Sequence, residues 1–289
     1  MHPLDNFEHI SITHHESISF VTVVALNRPQ KRNAINSKMW KEIGQAFHKL
    51  GATGEGCRCI ILTGKGKGFC GGIDITDETF FSGIQNDENV DFARKTLAFK
   101  SQIVEMQAAF TAVEQCTVPV VAAIHGACVG AGVDLVCCAD VRVCSPNSKF
   151  GVREVRLGLA ADVGSLQRLP KLVGHSSRIR ELCLTGEDFT ADEAFRIGFV
   201  SRVSKSDESL FDTANEVVSR IVRHSPVAVA VTKSSLNYSR DHSVAEGLEH
   251  IALQNSAALM TEDLAKSFMA SSGSLESADF DPLLQHSCL

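Results

Sequence analysis

Apolar and β-branched residues dominate residues 10–13 and again 18–26, with the polar run His14-His15-Glu16-Ser17 between them. Such runs around a polar link predict a β-hairpin. Asn27-Arg28-Pro29 ends the second strand, and from Asn33 to Leu50 the period changes: Ile35, Met39, Ile43, Phe47 and Leu50 recur at helical spacing. Residues 59–62 read as a short buried strand running into GKGKG, 89–116 as a long helix, 118–124 as a strand, 130–138 as a helix and 141–144 as a strand. Alternating strands and helices imply an α/β fold.

From Asp207 the strand signals vanish, and 210–222, 228–238 and 244–270 read as three helices. The polar run SKSDES at 204–209 marks a boundary. The expected organisation is a core over 1–205, a helical region over 206–275 and a loose tail over 276–289. No repeat of fixed period interrupts this order.

Composition narrows the function classes. The 289 residues are 44% apolar and 21% charged, enough for a sizeable core and too apolar for a disordered chain. A formal charge of −6 leaves no overall basic excess for nucleic acid, and one Trp and one Tyr leave only Phe for a base-stacking platform. Residues 117–139 approach a membrane span in length. Pro119, His125, Gly126, Gly130, Gly132 and Asp134 interrupt them, so the expectation is a buried strand, turn and helix, not a span. The ten cysteines form no C-x-x-C pair and mostly sit in apolar runs, which predicts reduced, buried packing residues and no metal site. The N-terminal MHPLDNFEHI reads neither as a secretory signal nor as a mitochondrial presequence. The chain ends Ser287-Cys288-Leu289, one residue from the S-K-L peroxisomal address, and an ordinary tail fits equally well.

Two glycine turns follow apolar strands: Cys70-Gly71-Gly72-Ile73-Asp74, and GACVGAGVDL at 126–135. Neither this second turn nor GKGKGF at 64–69 completes a dinucleotide or P-loop fingerprint. A turn of this kind leaves backbone N–H groups free, and two converging N–H donors make an oxyanion hole suited to a thioester carbonyl. Spacing alone favours a plain tight turn at each. Three acids stand out. Asp134 and Asp162 are isolated charges in apolar stretches, and Glu154 lies between Arg153 and Arg156. Burial raises a carboxyl pKa toward the range of an acid/base catalyst. The plain alternatives are local hydrogen bonding for Asp134, a surface ion pair for Glu154 and a helix cap for Asp162. His125, on an apolar strand, reads as a satisfied core residue. No G-x-S-x-G motif supports a nucleophile.

The segments ALNRPQKRNAIN, GFCGGIDI, IHGACVGAGVDL, FGVREVRLGLAADVGSLQRLP and TADEAFRIGFVSRV, in that order, resemble the crotonase (enoyl-CoA hydratase/isomerase) superfamily. The resemblance implies a crotonase-like spiral of ββα units with a helical C-terminal trimerisation region, and acyl-CoA thioesters as substrates. It assigns the oxyanion amides to Ile73 and Ala131, and substrate-binding positions to Arg28, Ala34, Gly71, Gly72, Asp74 and Gly130. Hydratases of the superfamily carry two Glu, which map to 134 and 154, and a Gly at 162. Here the set is Asp134, Glu154 and Asp162. It is similar to that of the Δ3,5-Δ2,4-dienoyl-CoA isomerase branch, as is the run GLAADVGSLQRLP.

That likeness implies transposition of 3,5-dienoyl-CoA to 2,4-dienoyl-CoA in fatty-acid β-oxidation. Glu154 would take a proton from C2, Asp162 return one at C6, and Asp134 hydrogen-bond near Glu154. CoA is part of the substrate, no metal or redox cofactor is implied, and CoA contacts are expected at the 27–36 loop and, across a subunit contact, near Lys233. A homotrimer or homohexamer follows from the resemblance. It also favours a peroxisomal address, with mitochondrion or cytoplasm as alternatives. The rival activities are an enoyl-CoA hydratase, a Δ3-Δ2 enoyl-CoA isomerase, and a non-catalytic acyl-CoA or RNA-binding protein of this fold. An unrelated NAD(P) oxidoreductase is disfavoured by the missing third Gly.

Overall fold

The apolar runs form strands covered on both faces. A computed structural model describes residues 7–53, 56–80, 90–272 and 279–283. The hairpin is β1 (Ile10–His14) and β2 (Val21–Leu26), followed by α1 (Ser37–Thr53) and β3 (Cys59–Gly64). Then come α2 (Phe92–Gln115), β4 (Val120–Ile124), β5 (Ala127–Val129), α3 (Ala131–Cys137), β6 (Val141–Cys144) and β7 (Lys149–Gly151). The chain continues through α4 (Ser165–Leu172), α5 (Ser176–Thr185), β8 (Phe189–Thr190), α6 (Ala191–Arg196) and β9 (Arg202–Val203). Four helices close it: α7 (Leu210–Ile221), α8 (Pro226–Ser239), α9 (Val244–Ala258) and α10 (Glu262–Ser271).

Six strands make the main sheet in the order β1-β2-β3-β4-β6-β9, and β5-β7-β8 make a small second sheet. Only the β1–β2 pair is antiparallel in the main sheet. In β3, Ile60 and Leu62 enter the larger core beneath α1 and α2. Cys59 and Ile61 point the other way, into a smaller core with Val121, Val143 and the α7 residues Leu210, Ala214 and Val218. A period of two with both faces covered explains why this strand is apolar throughout. Because α7 completes a core face, the packed unit extends past the polar boundary at 204–209.

Other differences have local causes. The helix expected from Asn33 begins at Ser37, because Asn33 takes a left-handed conformation (φ 54°). Its buried Nδ2 donates to the carbonyls of Lys65, Gly68 and Phe69 at 2.8–3.1 Å, tying the loop after β2 to the loop after β3. The stretch 244–270, expected as one helix, is two: the Thr261 side chain accepts from Asp263 N–H and starts α10. The tail, expected to be loose, docks at Phe280, which is buried and whose carbonyl accepts from Arg58. Ser287-Cys288-Leu289 lie outside the described residues, as do the start of the helix expected at Asn89 and the first six residues. Eight of the nine described cysteines are buried with free thiols. Burial pushes Cys70 up to about 12 and Cys116 to about 11, so they act as neutral packing groups. Among the described residues, no helix is long and apolar enough to cross a membrane.

Candidate active site

Two loops meet because the backbone laces them together. Cys70 N–H donates to Ala127 O and Val129 N–H to Cys70 O, so the turn after β3 runs alongside β5. Gly72 (φ 95°) and Gly130 (φ 54°) sit back to back: a Cβ built on Gly130 would lie 3.5 Å from Gly72 Cα. A side chain at either would be strained by its positive φ. Ile35 N–H donates to Gly72 O and Asp74 N–H to Ile35 O, which turns the intervening Ile73 N–H away from this pairing. Ala131 opens α3, where a first-turn amide has no partner within the helix. Gly71, Gly72, Ile73, Gly130 and Ala131 all line one cavity of about 610 Å³.

The three acids line that same cavity. Asp134 is fully buried on α3. Its Oδ1 accepts the Ser165 N–H at 2.5 Å, and its Oδ2 has no partner. Burial, reinforced by the Glu154 charge and opposed by the Ser165 bonds, pushes its pKa up to about 7. Glu154 is half-buried, with Oε2 unpartnered, and burial raises its pKa, with a further push from Asp162. Asp162 is reached by solvent where the cavity meets a second one of about 320 Å³. Desolvation raises its pKa as well. Two plain alternatives therefore resolve differently from expectation. Asp134, not Asp162, caps α4, by accepting the N–H of its first residue. The arginines beside Glu154 turn to Asp188: Arg153 Nε lies 2.7 Å from its Oδ1 and an Arg156 nitrogen 3.5 Å. Asp134, expected to hydrogen-bond near Glu154, takes its hydrogen bond from Ser165, on the segment that carries Asp162.

Five other residues singled out in the sequence lie elsewhere. Arg28 and Asp74 form a buried ion pair at 3.0 Å, and Arg28 also donates to Ala34 O. This trio fastens the loop after β2 beneath the Ile73 turn and does not line the cavity. Lys233, expected near CoA, is buried with its ammonium 2.8 Å from Asp140 and 3.1 Å from Val118 O, so packing within this chain consumes its charge. His125 Nε2 meets Gly66 O at 3.0 Å, so the residue is satisfied as expected, but it lies just past β4 and is only partly buried, not in the core. Among the described residues, no group of three or more His, Cys, Asp or Glu is arranged to hold a metal ion.

A family model described as enoyl-CoA hydratase/isomerase matches residues 16–272. The chain belongs to the enoyl-CoA hydratase/isomerase family. It is 43% identical over 274 residues to the mitochondrial Δ3,5-Δ2,4-dienoyl-CoA isomerase of Homo sapiens, covering 95% of this chain and 82% of that one. It is 39% identical to the peroxisomal Δ3,5-Δ2,4-dienoyl-CoA isomerase of Arabidopsis thaliana, covering 92% and 95%. The crystal structure of an enzyme described as an enoyl-CoA hydratase of Streptomyces coelicolor superposes with a TM-score of 0.81 at 28% identity, covering 99% of this chain and 97% of that one. The fold is the crotonase-like α/β spiral of this family.

Sequence reasoning missed two members of this enoyl-CoA hydratase/isomerase site. Ser165 aligns Asp134, and Asp188 takes up the two arginines. Ser165 sits unremarked within the run GLAADVGSLQRLP and Asp188 lies outside every quoted segment, and each is over thirty positions from its partner. In the apolar wall, Trp40 and Met106 were legible only as parts of expected helices, and Phe80 belonged to no expected element.

Proposed function

We propose that this chain is a Δ3,5-Δ2,4-dienoyl-CoA isomerase that removes a proton at C2 of its substrate and delivers one at C6. One observation carries the reading: three carboxyl groups with raised pKa values share one largely apolar cavity with the Ile73 and Ala131 turns. The thioester oxygen accepts the Ile73 and Ala131 N–H bonds, which stabilises the enolate and acidifies C2. Glu154 takes the C2 proton. The C–H electron pair spreads through the carbonyl and both double bonds as a trienolate; as the carbonyl re-forms, C2=C3 and C4=C5 remain and C6 takes a proton from Asp162, and the proton on Glu154 returns to Asp162 through solvent before the next turnover. Atoms and electrons balance without a redox partner or metal, and CoA enters and leaves as part of the substrate. Asp134 braces the scheme: it sits on the helix that presents Ala131 and bonds the segment bearing Asp162. Two carboxyls that start in opposite protonation states suit this chemistry, because one must accept while the other donates.

The assembly is proposed to be a homotrimer or homohexamer. Exposed apolar side chains on α9 and α10, including Leu248, Leu253, Phe268 and Met269, support it. The compartment is proposed to be the peroxisome, on the Ser287-Cys288-Leu289 ending and the Arabidopsis relative's description. Expressing the full chain and a version lacking these three residues, each with a fluorescent N-terminal fusion, checks this. Loss of punctate import on truncation is expected, and an unchanged distribution refutes it. For the activity, purified protein is mixed with a 3,5-dienoyl-CoA and its ultraviolet spectrum followed. Conjugation extending into the carbonyl moves the absorbance to longer wavelength at unchanged mass if the reading holds, and no such band appears if it fails.

A further inference from the structure

Glu154 stands in the sequence Arg153-Glu154-Val155-Arg156, between two permanent cations. All three charged side chains line the same cavity. A carboxylate in that position would ordinarily be drawn into an ion pair and lose its use as a base. Here both guanidinium groups face Asp188 on the lead-in to β8. Arg153 meets it through two nitrogens and Arg156 through one.

The backbone leaves room for this arrangement. A Cβ on Gly151 would fall 2.6 Å from Asp188 Oδ1 and 3.3 Å from Arg153 Cγ. A Cβ on Gly186 would fall 3.1 Å from Arg156 Cγ. Gly151 also accepts the Gly130 N–H at 2.8 Å, so the space kept for the arginine cluster adjoins the turn that presents Ala131. The β7–β8 pairing, Lys149 with Thr190 and Phe150 with Phe189, sets Asp188 opposite Gly151 and Arg153.

We propose that Asp188 is a positioning residue: it holds the Arg153 and Arg156 guanidinium groups off the Glu154 carboxylate and so keeps that carboxylate available as the C2 base. The charged and titratable groups around Glu154 agree. From α3 it faces Asp134, from the segment before α4 Asp162, and from α5 the half-buried Cys183 thiol, none of them a cation. Arg153 and Arg156 are the cations at hand, and Lys149 acts on Asp188. The cluster is partly exposed, with Asp188 31% and Arg156 46% accessible, so its contribution to folding is small. Its consequence falls on Glu154.

This inference rests on the isomerase reading for its kinetic arm, and a second arm is independent of activity. With Asp188→Asn, the freed arginines turn to Glu154. The acidic limb of the kcat profile then moves down by about one pH unit, and kcat at neutral pH falls about tenfold with KM little changed. Asp188→Glu restores the wild-type profile. Adding Arg153→Gln and Arg156→Gln to Asp188→Asn also restores the limb, because no cation is left to misplace. In parallel, protein labelled with ¹³C at glutamate carboxyls is titrated by NMR, with Glu154 assigned through Glu154→Gln. The Glu154 midpoint is expected to drop in Asp188→Asn and recover in the triple variant. A Glu154 midpoint unchanged in Asp188→Asn overturns the proposal whether or not the enzyme turns over. So does a limb that stays displaced after both arginines are removed. A wild type without isomerase activity but with the expected NMR shifts refutes the reaction and leaves the positioning role intact.

Discussion

At the scale of single residues, the account assigns different work to each acid. Asp162→Asn keeps a base but no acid at C6. The expected outcome is a loss of about 10²- to 10⁴-fold in conversion. Exchange of the C2 hydrogen with solvent, followed by NMR, should persist. Glu154→Gln should lose both. The pH profile follows from the same two groups. Glu154 must be ionised, so activity falls as pH drops through its raised pKa. Asp162 must be protonated, so activity falls as pH rises through its own. A bell displaced to higher pH than solvent-exposed carboxyls would give is expected, and a flat profile contradicts the two-acid scheme. Asp134 offers a stability test. Its folded pKa is about 7 against an ordinary 3.8, so between these values only the folded state holds the proton. Stability from this group is full below the lower value and lost as pH rises through the upper one. Unfolding measured in denaturant should show wild type losing ground to Asp134→Asn between about pH 4 and pH 7.

At the scale of elements, the site is built by two turns pressed together and one helix start braced by another. Gly132 lies at that seam: an added Cβ would meet Cys70 Cβ at 2.8 Å. Gly132→Val is expected to displace the Ile73 turn, destabilise the fold by about 1–3 kcal/mol and lower kcat more than it raises KM. Calorimetry and steady-state kinetics on the same preparation check both. Much at this scale was legible in the sequence. The unbroken apolar run of β3 and the helical spacing of Met39, Ile43, Phe47 and Leu50 are carried by burial, which the apolar pattern reports directly. What was not legible depends on contacts distant along the chain. Asn33 gives up its place in α1 for three carbonyls over thirty positions away. The turn from Arg153 and Arg156 to Asp188 is likewise set by the β7–β8 register. The break before α10 was readable in Thr261-Glu262-Asp263, a capping signal without Gly or Pro that continuous apolar spacing overrode.

At the scale of the whole molecule, one sheet separates two cores. The larger core supports the cavity, while α7 closes the other face. The last two helices and the link between them leave an apolar surface uncovered among the described residues: Val244, Leu253 and Met260 are each more than 75% exposed. Light scattering on the purified protein is expected to give a mass three or six times that of the chain. A monomer at micromolar concentration contradicts the proposed assembly.

The central claim, a proton taken at C2 and another delivered at C6, is tested most directly by running the reaction in D₂O with a 3,5-dienoyl-CoA and locating the label by NMR and mass spectrometry. The account predicts a 2,4-dienoyl-CoA carrying deuterium at C6, formed by wild type and not by Asp162→Asn. A product without deuterium at C6, or one that has gained a molecule of water instead, would contradict it.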